Sequence, residues 1–266
     1  MKHYFLLFLL AGGFIKAQQQ SIPKGMMAPN QHHEGKAWLN FLGQANALFD
    51  HNVVLATFEA GAKLNWHSHK EGQQLIVLSG LGHYQEKGKP IRPMQAGDII
   101  NCSPNTLHWH SSTANASVSY LALYSPSPTQ WDRPLTADEY SASLLRSLFD
   151  EFAALADKKD VKAQMELFAS NAVVESYRDG QRNSVLTGQQ EIETAFSSFL
   201  NQFETVEHKN GQHRVDINGN TATGYGSCKV TLINSETQLE WNVNYTDTYI
   251  FDGDQWLIEK RISNFE

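Results

Sequence analysis

The stretch GAKLNWHSHKEGQQLIVLSG (residues 61–80) and the later AGDIINCSPNTLHWH (residues 96–110) decide how this chain reads. In an extended strand successive side chains point to opposite faces, so His67 and His69 project together and two imidazoles can reach one ion. Gln73 follows the Lys70-Glu71-Gly72 turn and can return an amide oxygen to the same point. His108 arrives from a much later strand, after turns at Gly97 and Pro104. Three neutral imidazoles and an amide leave positions on a six-coordinate ion open for water or substrate. A lone strand histidine is ordinarily a satisfied core or surface residue. A histidine pair at two-residue spacing, an acceptor at a fixed offset and a late histidine in a glycine and proline frame form a far more specific pattern.

On either side lie short β-rich runs broken by Gly, Pro and Asn: VVLATF (53–58), KLNWHSH (63–69), QLIVLSGLGHYQ (74–85), DIINC (98–102) and SVSYLALY (117–124). Evenly spaced short strands with turn signals predict an all-β barrel or two-sheet sandwich. Residues 125–140 then concentrate proline and polar residues, and the apolar spacing changes after them, which makes them the candidate domain boundary. Leu144, Leu145, Leu148, Phe152 and Leu155 recur at helical spacing, and further helices are predicted over 161–169 and 190–203. The remainder reads as strands over 207–217, 221–233, 239–251 and 255–263, with hairpin turns at Asn218-Gly219 and Asp252-Gly253. Helices followed by antiparallel strands predict an α+β domain.

The first region resembles the cupin superfamily. Gly61, His67, His69, Gln73 and Gly80 match its first motif, and Gly97, Pro104 and His108 its second. Most cupins carry glutamate where this chain has Gln73, and a Pro-X-Gly turn where it has Pro104-Asn105-Thr106. A subgroup of small cupins has glutamine and a closing HWH, and includes manganese-dependent hydroxynitrile lyases and proteins associated with carboxymuconolactone decarboxylases. This chain is similar to that subgroup over about residues 35–140. The resemblance implies a double-stranded β-helix, or jelly roll, over residues 18–140, with His67, His69, Gln73 and His108 as ligands of one divalent metal ion. Manganese leads as its identity, with iron, nickel and zinc as alternatives. His110 stands two residues beyond a ligand and should face the same cavity. Tyr120 aligns where the lyases place a further active-site histidine, so His110 and Tyr120 are the candidate catalytic pair and cyanohydrin cleavage is not the leading reaction. Tyr124 shares a face with Tyr120 by alternation, and Tyr84 is a candidate cavity residue. Trp66 and Trp109 alternate with ligands and should point away from the metal. His32 and His33 are expected to be solvated.

An amide in place of a carboxylate leaves the ion's charge uncompensated, which favours Lewis-acid chemistry over oxidation of the metal. The expected function is that of a metal-dependent enzyme of lyase, isomerase or decarboxylase type, acting on a small oxygenated or carboxylated substrate. A non-catalytic small-molecule-binding module and an iron-dependent dioxygenase are the alternatives.

Residues 141–266 resemble the SnoaL-like group of the nuclear-transport-factor-like superfamily, an α+β cone around one pocket. The carrying residues are 155–160, Leu167-Phe168, Asn171-Ala172-Val173, 187–192, 216–222, 245–249, Trp256 and Arg261. The candidate pocket residues are Tyr177, His208, His213, Tyr225, Trp241 and Asp247.

Lys2, the apolar run 4–14 and the small Ala17 have the layout of a secretory signal peptide over residues 1–17. That run is too short for a bilayer span of ~20 apolar residues. The expected mature protein is soluble, and periplasmic or secreted. With 41% hydrophobic and 18% charged residues and a net charge of -7, the composition argues against a nucleic-acid partner. A homodimer or higher homo-oligomer is expected. The two cysteines, Cys102 and Cys228, fall in different domains and read as unpaired core residues.

Overall fold

The structure is a computed structural model that describes residues 22–266, so the segment read as a signal peptide lies outside it. The amino-terminal half is built around one long strand, Gln73–Glu86. Its first part pairs antiparallel with Val118–Tyr124 and Ile99–Cys102. Its second part pairs with His108–Ser112 and Arg92–Gln95. The strand thus passes from one sheet into the facing one, and the turn between them falls at Gly80. That residue has φ +81, and a Cβ there would lie 1.8 Å from the Ser117 carbonyl oxygen. Only glycine fits both the dihedral and the approach. Asn52–Phe58 and Ala37–Gly43 extend the first sheet. Between the sheets lie Phe58, Leu75, Val77, Ile100, Val118 and Tyr120, all buried. The result is the curled two-sheet barrel that the strand spacing predicts.

The carboxy-terminal half is a six-stranded sheet with three helices. The strand order is Gln181–Thr187, Phe168–Arg178, Trp256–Phe265, Gln238–Phe251, Thr221–Ile233, Thr205–Asn218. All neighbours are antiparallel except Phe168–Arg178 with Trp256–Phe265. Helix α1 (Ala137–Asp157) begins at an N-cap, Thr136, whose hydroxyl accepts from the Glu139 amide, with Asp138 and Glu139 favourably placed in the first turn. Leu145, Leu148, Phe149, Phe152 and Ala156 form its buried stripe. α2 is Val161–Met165 and α3 is Gln189–Leu200.

Four differences from the sequence expectation have physical causes. α1 starts within the stretch taken as the boundary, because Thr136 supplies a cap that the proline-rich composition masks. α2 stops four residues early, since Phe168 pairs with Ile258 and the Leu167 carbonyl accepts from the Ile258 amide at 2.8 Å, a tertiary pairing that overrides the helical spacing. The hairpin Phe168–Arg178 to Gln181–Thr187 was not expected, although Asp179-Gly180 carries its signature, with φ of 51 and 73 at the two turn residues. His32 and His33 are half-buried rather than solvated.

Candidate metal centre

Strand His67–Ser68 lies beside His108–Ser112, with His67 directly opposite His108. The pairing brings the HSH and HWH segments into register from 41 residues apart. His67, His69, Gln73, His108 and His110 are all buried. His67 and His108 have ring centroids 4.2 Å apart, and His69 stands 5.3 Å from His67 and 5.7 Å from His108. One nitrogen each from His67, His108 and His110 lie within 4.8 Å of one another. The tightest group therefore contains His110, and His69 and Gln73 flank it.

The backbone sets the tautomers. His67 Nδ1–H donates to the Asn65 carbonyl at 2.9 Å, and His108 Nδ1–H to the Thr106 carbonyl at 2.8 Å. A carbonyl can only accept, so in the neutral ring each Nε2 is left as a lone pair. The Nε2 of His108 meets the Oε1 of Gln73 at 3.2 Å, two acceptors side by side. His69 Nε2 has no partner among the described residues. His110 differs: its Nδ1 faces the Tyr120 hydroxyl at 2.7 Å, and its Nε2 is unpartnered.

Burial, reinforced by the neighbouring histidines, holds His67 and His110 well below the usual histidine range and takes His69 to about 4. His108 is lowered by burial as well. At neutral pH the cluster is a set of neutral imidazoles, the form that ligates metals. Burial also raises Tyr120 well above its ordinary value, so its phenol stays protonated.

Tyr124 packs with its ring 5.4 Å from His69. Tyr84 packs 5.5 Å from His108 and donates its hydroxyl to Glu86. Trp66 and Trp109 point away and form a separate buried cluster with Ile91 and Leu135, against which Tyr140 and Leu144 of α1 pack. Sequence reasoning gave no site role to two contributors. Trp131 lies opposite His67 in a strand pairing, with its ring 5.0 Å from that imidazole and stacked on His32 at 4.2 Å. Phe58 stacks on Tyr120 at 5.9 Å. An isolated Trp after a proline-rich loop carries no periodic signal, so neither spacing nor alternation could have placed it.

In the carboxy-terminal half Tyr177, His208 and Trp241 line a cavity of about 520 Å³. His213, Asp247 and Tyr225 are not among its lining residues. His213 stacks on Phe149 and reaches the Tyr249 hydroxyl, while Asp247 is locked in a pair with Arg261. Cys102 and Cys228 are both free and buried, as expected.

Residues 54–124 match the cupin domain family, and residues 143–262 match the SnoaL-like domain family. The chain joins a cupin domain to a SnoaL-like domain. The cupin domain is similar to an (R)-mandelonitrile lyase of Granulicella tundricola, 33% identical over 87 residues, which are 32% of this chain and 66% of the lyase. This chain thus spans just under two thirds of that relative's length. A cupin-like protein of Thermotoga maritima is 33% identical, with 45% of this chain and 92% of that one covered at a TM-score of 0.43. A protein of unknown function with a cystatin-like fold, from Nostoc punctiforme, covers 50% of this chain and 94% of its own at 21% identity and a TM-score of 0.41.

Proposed function

We propose that the protein is a metal-dependent cupin enzyme that holds one divalent ion through His67, His69, Gln73 and His108 and acts on a small oxygenated or carboxylated substrate by lyase, isomerase or decarboxylase chemistry. The carrying observation is the tautomer pattern. Two buried imidazoles are held with their Nε2 lone pairs turned inward, a third has an unpartnered Nε2, and a glutamine oxygen sits against one of them. Inward-turned lone pairs on His67 and His108 beside the Gln73 oxygen suit a cation, so these residues fit a divalent metal ion, with manganese first among the candidates. A bound ion would supply Lewis acidity for a carbonyl or a developing alkoxide.

His110 belongs to the chemistry rather than to the ligand set. The Tyr120 hydroxyl has no acceptor among the described residues other than His110 Nδ1, so the phenol donates and the neutral ring carries its proton on Nε2. That N–H is unpartnered within the histidine cluster and can donate a hydrogen bond to a substrate oxygen as negative charge develops on it. Tyr120 fixes this tautomer by donating its O–H to Nδ1. Trp131 and Tyr124 pack on His67 and His69 and limit water at the site.

The name of the lyase relative makes aryl cyanohydrins the first substrates to assay. The proposal includes export, on the charged and apolar layout of residues 1–17, and self-association, on the exposed Met26, Phe41, Leu48 and Phe49; light scattering that finds a monomer would remove the latter. No helix of the described residues is long and apolar enough to cross a membrane.

Metal analysis of the purified full chain tests the central reading. One equivalent of divalent metal in the wild type, lost in His67→Ala with the fold retained, is expected. A wild type that takes up none of manganese, iron, nickel or zinc would sink it. Oxygen consumption by the iron-loaded protein would favour the dioxygenase instead.

A further inference from the structure

A cleft of about 730 Å³ lies where the barrel meets the carboxy-terminal half, and it shares no lining residue with the histidine cluster or with the 520 Å³ cavity. Leu81 and Ile91 of the barrel, Leu144 and Leu148 of α1, and Phe251 and Trp256 of the last hairpin give it apolar walls. Neither half could form it alone, and its volume is that of a small-molecule site. The barrel side has a polar floor. Ser111 lies opposite His83 on one neighbouring strand and opposite Lys63 on the other, so the three side chains form one row on the outer face of the sheet. Lys63 and His83 line the cleft, and Tyr140 lies over the row with its hydroxyl 2.9 Å from His83 Nδ1 and its ring 5.6 Å from the Lys63 ammonium. Between them Ser111 is 1% exposed, and its Oγ has no hydrogen-bond partner among the described residues. Buried polar groups are ordinarily satisfied, so an unmatched hydroxyl aimed at the floor of a cleft points to an occupant that pairs with it.

The charges narrow the occupant. Lys63 is the one cation in the lining, and it is already paired with Glu34 at 3.1 Å. Burial holds His83 neutral, at about 4. Asp138, Glu151 and Asp254 also line the cleft, all three exposed, and none is paired with a cation among the described residues. The floor therefore suits a neutral oxygen, and the carboxylates disfavour an anion. Glu151 and Asp254 stand on the carboxy-terminal side, away from the floor, and suit a cation.

We propose that this cleft is a ligand site for an apolar primary amine with a neutral oxygen at its other end, the ammonium beside Glu151 and Asp254 and the oxygen on the row of Lys63, Ser111 and His83. At a rise of ~1.5 Å per residue α1 carries Tyr140 and Glu151 roughly 16 Å apart, which sets the apolar spacer at about eight to twelve carbons. Such a ligand touches both halves at once and lies directly behind the strand that carries His108 and His110.

Calorimetric titration of the full chain with four probes tests this. 10-Amino-1-decanol carries both end groups, decylamine lacks the oxygen, 1-decanol lacks the charge and 10-hydroxydecanoate reverses it. The amino alcohol is expected to saturate one site in the wild type and equally in His67→Ala, with each of the other three weaker by about fivefold or more, the worth of one hydrogen bond or one partly enclosed ion pair. Glu151→Gln combined with Asp254→Asn, both at exposed positions, should bring the amino alcohol down to the affinity of 1-decanol, and Ser111→Ala should bring it down to that of decylamine. Ser147→Trp, at a half-buried lining position on α1, fills the space and should weaken the amino alcohol by about tenfold or more. Should Ser111→Ala fail to fold, the other two variants carry the test. No saturable binding of the amino alcohol, tighter binding of 10-hydroxydecanoate, loss of the site in His67→Ala, a preference over decylamine that survives Ser111→Ala, or unchanged affinity in the double variant or in Ser147→Trp would each overturn the proposal.

Discussion

At the residue scale the metal centre depends on which ring nitrogen each histidine turns inward. His67 and His108 owe that to backbone carbonyls two residues before them, and His110 to a phenol on another strand. The three rings are chemically alike, yet in the proposed function two serve as ligands and one as a hydrogen-bond donor to substrate. Tyr120→Phe separates these roles. The variant keeps the packing against Phe58 but leaves His110 free to change tautomer, so kcat is expected to fall about 10- to 100-fold, as when an outer-sphere partner of an active group is lost. Metal content should stay at the wild-type level, and loss of metal in parallel with activity would place Tyr120 in the ligand set's support instead. The five residues at the centre were legible because alternation and motif spacing specify direction. Their tautomers were not, since those depend on Asn65, Thr106 and Tyr120, which no spacing rule joins to the histidines.

At the scale of elements, strand Gln73–Glu86 carries both the proposed ligand Gln73 and the crossing between sheets. Gly80 makes that crossing, and an added methyl would meet the Ser117 carbonyl in a dihedral that L residues rarely adopt. Gly80→Ala is therefore expected to lower stability by about 3 kcal/mol or more and to reduce metal affinity through misplaced Gln73 and His108. Chemical denaturation with metal titration would check both. A variant of wild-type stability would mean that the strand can cross between the sheets without glycine. Most strands here were legible from β-branched runs between turn residues. Ala37–Gly43 was not, because AWLNFLG lacks strict alternation and gains its partners from Asn52–Phe58 and Met26–Met27. The 168–187 hairpin was hidden differently, since its first residues continue a helical spacing that only the Phe168 to Ile258 pairing breaks.

At the scale of the molecule, acid is expected to weaken both halves. Burial takes His83, in the barrel, and His213, on the long sheet, to about 4. Both titrate near 6.5 in an unfolded chain. Between those values the unfolded state binds more protons than the folded one, so stability is full above about pH 6.5 and is lost as the pH falls toward 4. Melting temperatures measured across that range should drop with acid, and His213→Gln should flatten the part of the slope that belongs to the carboxy-terminal half.

The two halves also meet through α1, and the sequence concealed this because the helix begins inside an apparently linker-like stretch. Tyr140, in its first turn, packs on Trp109 at 5.5 Å, places its ring 5.6 Å from the Lys63 ammonium and bonds His83 through its hydroxyl at 2.9 Å. One turn on, the Ser143 hydroxyl donates to Gln85, which also accepts from the Trp109 indole at 3.0 Å. Trp109 is fully buried with α1 packed against it, and it separates His108 and His110 in sequence. Removing the ring in Tyr140→Ala takes away a half-buried aromatic contact and a hydrogen bond, about 1 to 3 kcal/mol together. That loss should fall on the seam rather than on either core. If the seam couples the halves, calorimetry of Tyr140→Ala should resolve two unfolding transitions where the wild type shows one, with the barrel melting first and its indole fluorescence changing in that step. A single transition displaced as a whole would instead mean that the halves are coupled through contacts elsewhere on α1.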